Sequence, residues 1–259
     1  MLSILIPCRH YDCSELVAEL HRQCKDVGLE YEILVGDDNG EKPLGRAAMR
    51  NQLLEKSQYD YVLFMDADAM VCRLDFIRKY WNHKDEAPVI LGGLETPDKP
   101  KEKGYMLRWK YENANKTKEN FTVFNAFFSK SIFERVRFDD EKCKSYGHED
   151  TLFGVDLQKN GILPLYINNP LIHNGIDTSE AFLKKSEIAI ENLIKIGEPL
   201  VSRTHLGGMG ISLKKLHLAF VVKGLFRMFK SSIRRNLLSE KPSLKLFQFY
   251  KLGYFIENS

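Results

Sequence analysis

The stretch Tyr61-Val62-Leu63-Phe64-Met65-Asp66-Ala67-Asp68 decides the fold: an uninterrupted apolar run ends in two carboxylates separated by one small residue. A run of this length and composition predicts a strand buried on both faces, as in parallel sheets. In extended backbone, residues two apart point to the same side, so Asp66 and Asp68 are expected to face one ligand together. They stand at the carboxyl end of the strand, where open α/β sheets take their ligands. A hard cation such as Mg²⁺ or Mn²⁺ is commonly held by one or two carboxylates, with substrate phosphates and water completing the shell, and the pair suits that role. For an Asp-x-Asp taken alone, an acidic turn that caps the next helix is the plainer alternative.

Outward from this strand, short β-branched or aromatic runs alternate with helical patterns up to about Gly175, which predicts an α/β fold with a mostly parallel central sheet. Leu2 to Ile6 reads as the first strand. Asp12 is expected to cap a helix in which Leu16, Leu20 and Cys24 recur at four-residue spacing. Tyr31 to Val35 reads as a second strand, closed by the acidic turn Gly36-Asp37-Asp38-Asn39-Gly40, and Leu44 to Lys56 as a helix. Val89 to Leu91 and Phe121 to Phe128 are further strand expectations, a short helix is expected from Ser129, and Glu149 to Lys159 and Thr178 to Ile196 read as helices. The polar, Lys-rich segment from Glu95 to Asn120 reads as a long surface excursion suited to covering a substrate.

Composition narrows the class. A chain of 259 residues can bury a substantial core. Five cysteines at irregular spacing, without C-x-x-C, indicate reduced and mostly buried thiols instead of a disulfide framework or a zinc knuckle. Met1 runs directly into the first strand with no signal-like segment, which predicts a cytoplasmic start, so the sequons at Asn115 and Asn120 read as chance matches. The formal net charge of +3 hides an asymmetry. Residues 201–259 hold eleven Lys or Arg against two Glu, about +9, which leaves the rest near −6. Residues 1–200 are therefore expected to form a catalytic domain and 201–259 a basic helical extension.

Five features in this order resemble the family-two glycosyltransferases of the GT-A fold: Ile6-Pro7-Cys8-Arg9 closing strand one, the Asp37-Asp38 loop, Gly45-Arg46-Ala47-Ala48-Met49-Arg50-Asn51, Asp66-Ala67-Asp68, and Gly147-His148-Glu149-Asp150. The resemblance spans roughly residues 1 to 180. It implies a nucleotide-diphospho-sugar transferase fold and an inverting, Mn²⁺- or Mg²⁺-dependent hexosyl- or N-acetylhexosaminyltransferase. It also implies a glycan or lipid-linked acceptor in surface-polysaccharide assembly. The donor-binding residues it implies are Pro7, Arg9, Asp37, Asp38, Arg46, Arg50, Asp66, Ala67 and Asp68. Asp150 would be the general base, Glu149 would position the acceptor or the base, and His173 would join Asp66 and Asp68 as a metal ligand. Asn39-Gly40-Glu41 stands where the family usually carries Ser or Thr.

Each element also has a reading of its own. A carboxylate is an acceptor and could take the imide N–H of uracil, which favours a UDP-sugar, and either Asp37 or Asp38 could do so; an Asx turn is the alternative. Arg46 and Arg50 share one helical face. Glu149 and Asp150 start a helix, where acids are favoured by the dipole. Trp81, beside Phe76, Ile77 and Tyr80, reads as core, and Trp109 as packing or a sugar platform. Between Leu213 and Leu238, Lys and Arg interleave with Leu, Phe and Met. No charge-free run there approaches ~20 residues, so this segment is expected to lie on an anionic membrane surface without spanning it, the alternative being a helix packed on the catalytic domain with a solvated basic face. No nucleic-acid motif accompanies the charge. Rival readings are a catalytically silent nucleotide-sugar-binding or membrane-docked scaffold of the same fold, and a nucleotidyltransferase, whose Gly-rich phosphate loop after strand one is absent.

Overall fold

In the computed structural model, which describes residues 1–115 and 121–259, the chain opens with strand β1 (Leu2–Cys8) and helix α1 (Ser14–Val27). The recurrence of Leu16, Leu20 and Cys24 is the buried stripe of α1, joined by Gln23, which donates to the Arg73 carbonyl at 2.7 Å and accepts from Ile77 N–H at 3.1 Å. Asp12 acts one place ahead of the cap. Its Oδ1 accepts from Ser14 N–H at 2.9 Å, while Cys13 holds the N-cap position. Strand β2 (Tyr31–Asp37) leads to α2 (Arg46–Lys56), which begins two residues later than expected because the chain before it is tied down by Asp38. Strands β3 (Tyr61–Met65) and β4 (Ala69–Val71), helix α3 (Phe76–His83), and strands β5 (Val89–Leu91) and β6 (Leu94–Glu95) follow.

The segment from Glu95 to Asn120 departs from the expected excursion. It contains helix α4 (Met106–Asn113), whose Met106, Leu107 and Glu112 are buried; residues 116–120, with parts of both sequons, lie outside the described residues. Strand β7 (Asn125–Ser129) starts four residues later than expected, and a 3₁₀ turn at Lys130–Glu134 replaces the short helix. Helix α5 (Glu149–Lys159) matches its predicted bounds, and β8 (Leu165–Tyr166) and β9 (Leu171–His173) complete the strands. The C-terminal elements are α6 (Ser179–Ile196), α7 (Leu200–Arg203), α8 (His205–Lys215), α9 (Ala219–Leu237) and α10 (Leu244–Asn258).

The main sheet has six strands in the order β2-β1-β3-β7-β5-β8. β1 is parallel to β2 and β3, β5 is parallel to β8, and β7 alone runs against its neighbours, so the sheet is mostly parallel, as the alternating pattern implied. A second sheet of three short strands, β4-β9-β6, pairs Ala69 with His173. One face of the main sheet is filled by rings from Phe64, Phe128, Phe133, Phe138 and Phe153, with Phe138 and Phe153 stacked at 4.2 Å between centroids. Asn125, fully buried at the start of β7, donates to the Gly93 and Asn169 carbonyls at 2.9 Å each and accepts from Tyr80 O–H at 2.7 Å. A buried carboxamide needs such partners, and these are backbone and tyrosine.

Chain contacts divide the protein into two compact units. The first comprises Met1–Pro97, the described part of Lys116–Lys144, and Glu149–Gly175; the second comprises Asp98–Asn115, Ser145–His148 and Ile176–Ser259. The step in charge at residue 200 and the step in packing at residue 175 are thus separate features. In the second unit, Leu107, Phe182, Leu183, Phe226, Phe247 and Tyr250 form the core, and Thr178 caps α6 by accepting from Ala181 N–H at 3.2 Å. A Cβ at Gly253 would lie 2.3 Å from the Phe226 ring, so this position in α10 needs glycine for α9 to pack as it does. The basic stretch expected from Leu213 to Leu238 is two helices, α8 and α9, parted by a turn in which His217 has φ 57°.

All five cysteines are free: Cys8, Cys24 and Cys143 are buried, Cys13 is half-buried and Cys72 is exposed. Burial pushes the Cys24 and Cys143 thiols up to about 12. No helix among the described residues is long and apolar enough to cross a membrane.

Candidate active site

The carboxyl ends of β1, β2 and β3 gather the acidic loops in the first unit. Register pairs Cys8 with Asp37, and Asp66 follows β3 directly. Asp38 serves the fold. Its N–H donates to the Cys8 carbonyl at 3.0 Å, and its two carboxylate oxygens accept from Leu44 N–H at 2.6 Å and Gly45 N–H at 3.1 Å. Asp37 is exposed and accepts from Asn39 N–H at 3.0 Å, the Asx turn that the Asp-Asn-Gly run offered. Pro7 lies opposite Gly36 within the sheet, and Arg9 is exposed just beyond β1.

Arg50 is the centre of the site. Its side chain is 1% exposed, and the guanidinium donates to Asp150 Oδ1 at 2.5 Å and to Asp66 Oδ1 at 3.2 Å, with its Cζ 5.4 Å from the Phe138 ring centroid. Three elements therefore meet at one buried cation: α2, the end of β3 and the first turn of α5. Burial alone would lower the Arg50 pKa, but Asp150, Asp66 and Glu149 outweigh it and hold the group charged. Burial likewise pushes the Asp66 carboxyl up, yet Arg46, Arg50 and His173 together keep it below its ordinary value. Arg46, half-exposed one turn earlier on α2, lies 3.6 Å from Asp66 Oδ2 and 3.7 Å from Glu149 Oε1.

The two acids that start α5 differ in their surroundings. Asp150 takes three donors: besides Arg50 on Oδ1, its Oδ2 accepts from Thr122 O–H at 3.1 Å and Val123 N–H at 2.8 Å, which leaves Oδ1 one further lone pair. This explains why β7 starts late, since residues just before it turn their donors to Asp150 and not to a neighbouring strand. Glu149 is buried, and its Oε2 has no hydrogen-bond partner. Burial, followed by the adjacent Asp150 carboxylate, raises the Glu149 pKa. His148, assigned to the other unit, has φ 71° and an unpartnered buried Nδ1; burial lowers its pKa to about 4.

Asp68 faces a different neighbour. Its Oδ2 lies 3.0 Å from His173 Nε2, and its carbonyl accepts from Asn174 N–H at 2.9 Å. A Cβ at Gly175 would lie 2.4 Å from Asp68 Oδ2, so the close return of the chain after β9 needs glycine. Ala67 between the two acids is buried. Among the described residues no three His, Cys, Asp or Glu side chains converge as metal ligands, so Asp66, Asp68 and His173 do not stand as a ready-made triad. The donor set still fits a hard cation that draws two protein carboxylate oxygens and completes its shell from phosphate and water. The residues that sequence reading missed are Thr122, Phe138 and Gly175. Only proximity in the fold marks the first two, whereas a glycine two residues after a candidate ligand was a readable sign. Trp81 packs edge-on against Tyr61, 5.7 Å between centroids, at the rim of the core. A cavity of about 570 Å³ lined by Asp60, Ser129, Lys130 and Arg137 sits at the opposite end of β3 from the acids.

No family model matches the sequence, and no curated protein matches it. Solved structures do resemble the fold. A mannosyltransferase from Pyrobaculum calidifontis, in complex with GDP-Man and Mn²⁺, aligns over 99% of this chain and 86% of its own with a TM-score of 0.52 at 10% identity. TarS from S. aureus aligns over 99% of this chain and 53% of its own with a TM-score of 0.50 at 14% identity. At these identities the likeness speaks for architecture and not for chemistry. With its sheet order and these likenesses, the chain has the GT-A fold of nucleotide-sugar glycosyltransferases.

Proposed function

We propose that this protein transfers a sugar from a nucleotide-diphosphate donor, a UDP-sugar for preference, to a hydroxyl of a glycan or lipid-linked acceptor with inversion at the sugar carbon. The observation that carries the reading is the buried Arg50 bridge. It holds Asp66, at the strand end where such folds take ligands, and Asp150, at the head of α5, on one guanidinium. Two acids fixed on one cation from separate elements are what a donor site and an acceptor site need if they are to share a reacting centre. The GT-A architecture supports the same reading, as does a structural neighbour that carries GDP-Man and Mn²⁺.

In this reading Asp66 and Asp68 hold Mn²⁺ or Mg²⁺, which when bound supplies Lewis-acid stabilisation of the leaving diphosphate. His173 orients Asp68 through the 3.0 Å contact. Asp37 takes the base N–H, because it is exposed, whereas Asp38 is buried with its oxygens turned to Leu44 and Gly45 N–H. Arg46, the more exposed of the two arginines, offers its guanidinium to the diphosphate. Asp150 accepts the acceptor's hydroxyl proton as that oxygen bonds to the sugar carbon and the carbon–diphosphate oxygen bond breaks on the opposite face. Glu149, buried beside Asp150 at the head of α5, positions the acceptor or the base.

The test is a thermal-shift screen of the purified chain with UDP-, GDP-, dTDP- and CMP-sugars in Mn²⁺, Mg²⁺ or EDTA, since a ligand that binds only the folded state raises its stability. A shift with one donor class that disappears in EDTA is the expected result. No shift with any donor in either metal would sink the reading and leave a silent scaffold of the same fold.

A further inference from the structure

We infer that the outward face of α9, with the turn before it, docks on an anionic lipid leaflet. This inference rests on the second unit alone and does not depend on the transfer reaction. Helix α9 has two apolar faces. One carries Phe226, Ile233 and Leu237, which are buried in the second unit's core. The other carries Val221, Leu225 and Met228, spaced i, i+4, i+7 and therefore a single stripe, and all three are exposed. Phe220 extends this face, and Leu216 lies in the preceding turn. Phe220 is 74% exposed, Met228 73% and Leu216 66%. Single exposed apolar residues are ordinary, whereas a contiguous set on one helix and its leading turn marks a surface that meets something.

The charge around the patch names the occupant. Between Glu198 and Glu240 there is no Asp or Glu, while eight Lys or Arg stand in the same interval. Lys214 and Lys215 end α8, and Lys223 and Arg235 lie on α9; Arg227 and Lys230 reach Glu257, and Arg234 reaches Glu180. An apolar stripe rimmed by cations matches an acyl boundary beneath anionic headgroups, and a helix interrupted by this many charges lies in the interface without crossing it. A second copy of the chain is the poorer fit, because it would set Lys214, Lys215, Lys223 and Arg235 against their own kind, while Glu257 and Glu180 are already paired within the unit.

Flotation of the full-length protein with vesicles tests the inference, comparing pure phosphatidylcholine with phosphatidylcholine containing phosphatidylglycerol. The triple variant Phe220→Ser, Leu225→Ser, Met228→Ser removes the stripe, and Lys214→Gln, Lys215→Gln, Lys223→Gln removes charge. Expected are binding to the anionic vesicles that weakens with salt, about tenfold weaker binding for each triple variant, and unchanged circular dichroism and melting, because none of the altered side chains is buried in the core. The inference is overturned if the wild type ignores anionic vesicles at low salt, or if the stripe variant binds them as well as wild type. A dimer in light scattering that the stripe variant dissociates would assign the face to a second copy and overturn it equally.

Discussion

Around Arg50 the protein buries charge and pairs it, whereas along the outer stripe of α9 it exposes apolar side chains and leaves them to solvent. Both regions invert the ordinary distribution of residue types. Their costs differ in kind. A buried ion is tolerated only while its partners are in place, so the Arg50 site is brittle, and removing one member strands the others. An exposed apolar face costs little to the folded state and can be altered freely, so its justification must lie outside the molecule. One region should therefore answer mutation through activity and stability together, and the other through neither.

The strongest break in that comparison comes from Asp150→Asn. Transfer should fall about 10²- to 10⁴-fold, the range for loss of a positioned general base, while the donor-dependent thermal shift survives. Loss of donor binding along with turnover would show Asp150 to be a structural acid. Arg50→Met should cost about 3–5 kcal/mol in urea unfolding, because it takes the buried cation away from Asp66 and Asp150, both half-buried against it. Arg50→Lys sharpens the point: it keeps the charge but not the fork, and a stability equal to wild type would mean that the two-acid bridge is not what holds the site.

In the second unit, Gly253→Ala should destabilise by about 1–3 kcal/mol through overpacking against Phe226, read from the unfolding midpoint. An unchanged midpoint would show that α9 and α10 part easily. An effect of similar size, confined to acid pH, comes from His148. His148 is held near 4 by burial, below its unfolded value, so the unfolded chain binds the extra proton between about 6.5 and 4. Stability is full above that window and is lost as pH falls through it, by on the order of 2 kcal/mol once its partial exposure is discounted. His148→Asn, which tolerates the positive φ, should flatten the slope between pH 6.5 and 4. A slope identical to wild type would assign the acid sensitivity to other groups.

Strand β3 and helices α1, α5 and α6 were legible because each carries its signal locally: an apolar run, a four-residue stripe, an acidic start or a long amphipathic pattern. The sheet β4-β9-β6 was not, since strands of two or three residues have no period, and Ala69 finds His173 only through the fold. Helix α4 was hidden for a similar reason. Its eight residues are held by partners far along the chain, Tyr111 against Phe182 and Phe247, and Lys110 on the Pro242 carbonyl. In the site, the acids and arginines could be named from spacing, yet their pairing could not. Asp38 is the instructive residue. Sequence left it level with Asp37, and only the Leu44 and Gly45 N–H groups reveal that it is spent on the start of α2.

The exposure of Cys72 has a practical consequence. With Cys8, Cys24 and Cys143 buried, and Cys13 half-buried with its thiol raised by burial and by Cys8, a maleimide dye offered near neutral pH should enter first at Cys72. That sulfur follows β4 directly, 3.4 Å from the Pro170 carbonyl that precedes β9, on the short ribbon that carries Asp68 and His173 at its other end. A fluorophore placed there would ride on the strand pair beside the acids. Its emission would report donor or cation binding in solution without altering any residue of the site.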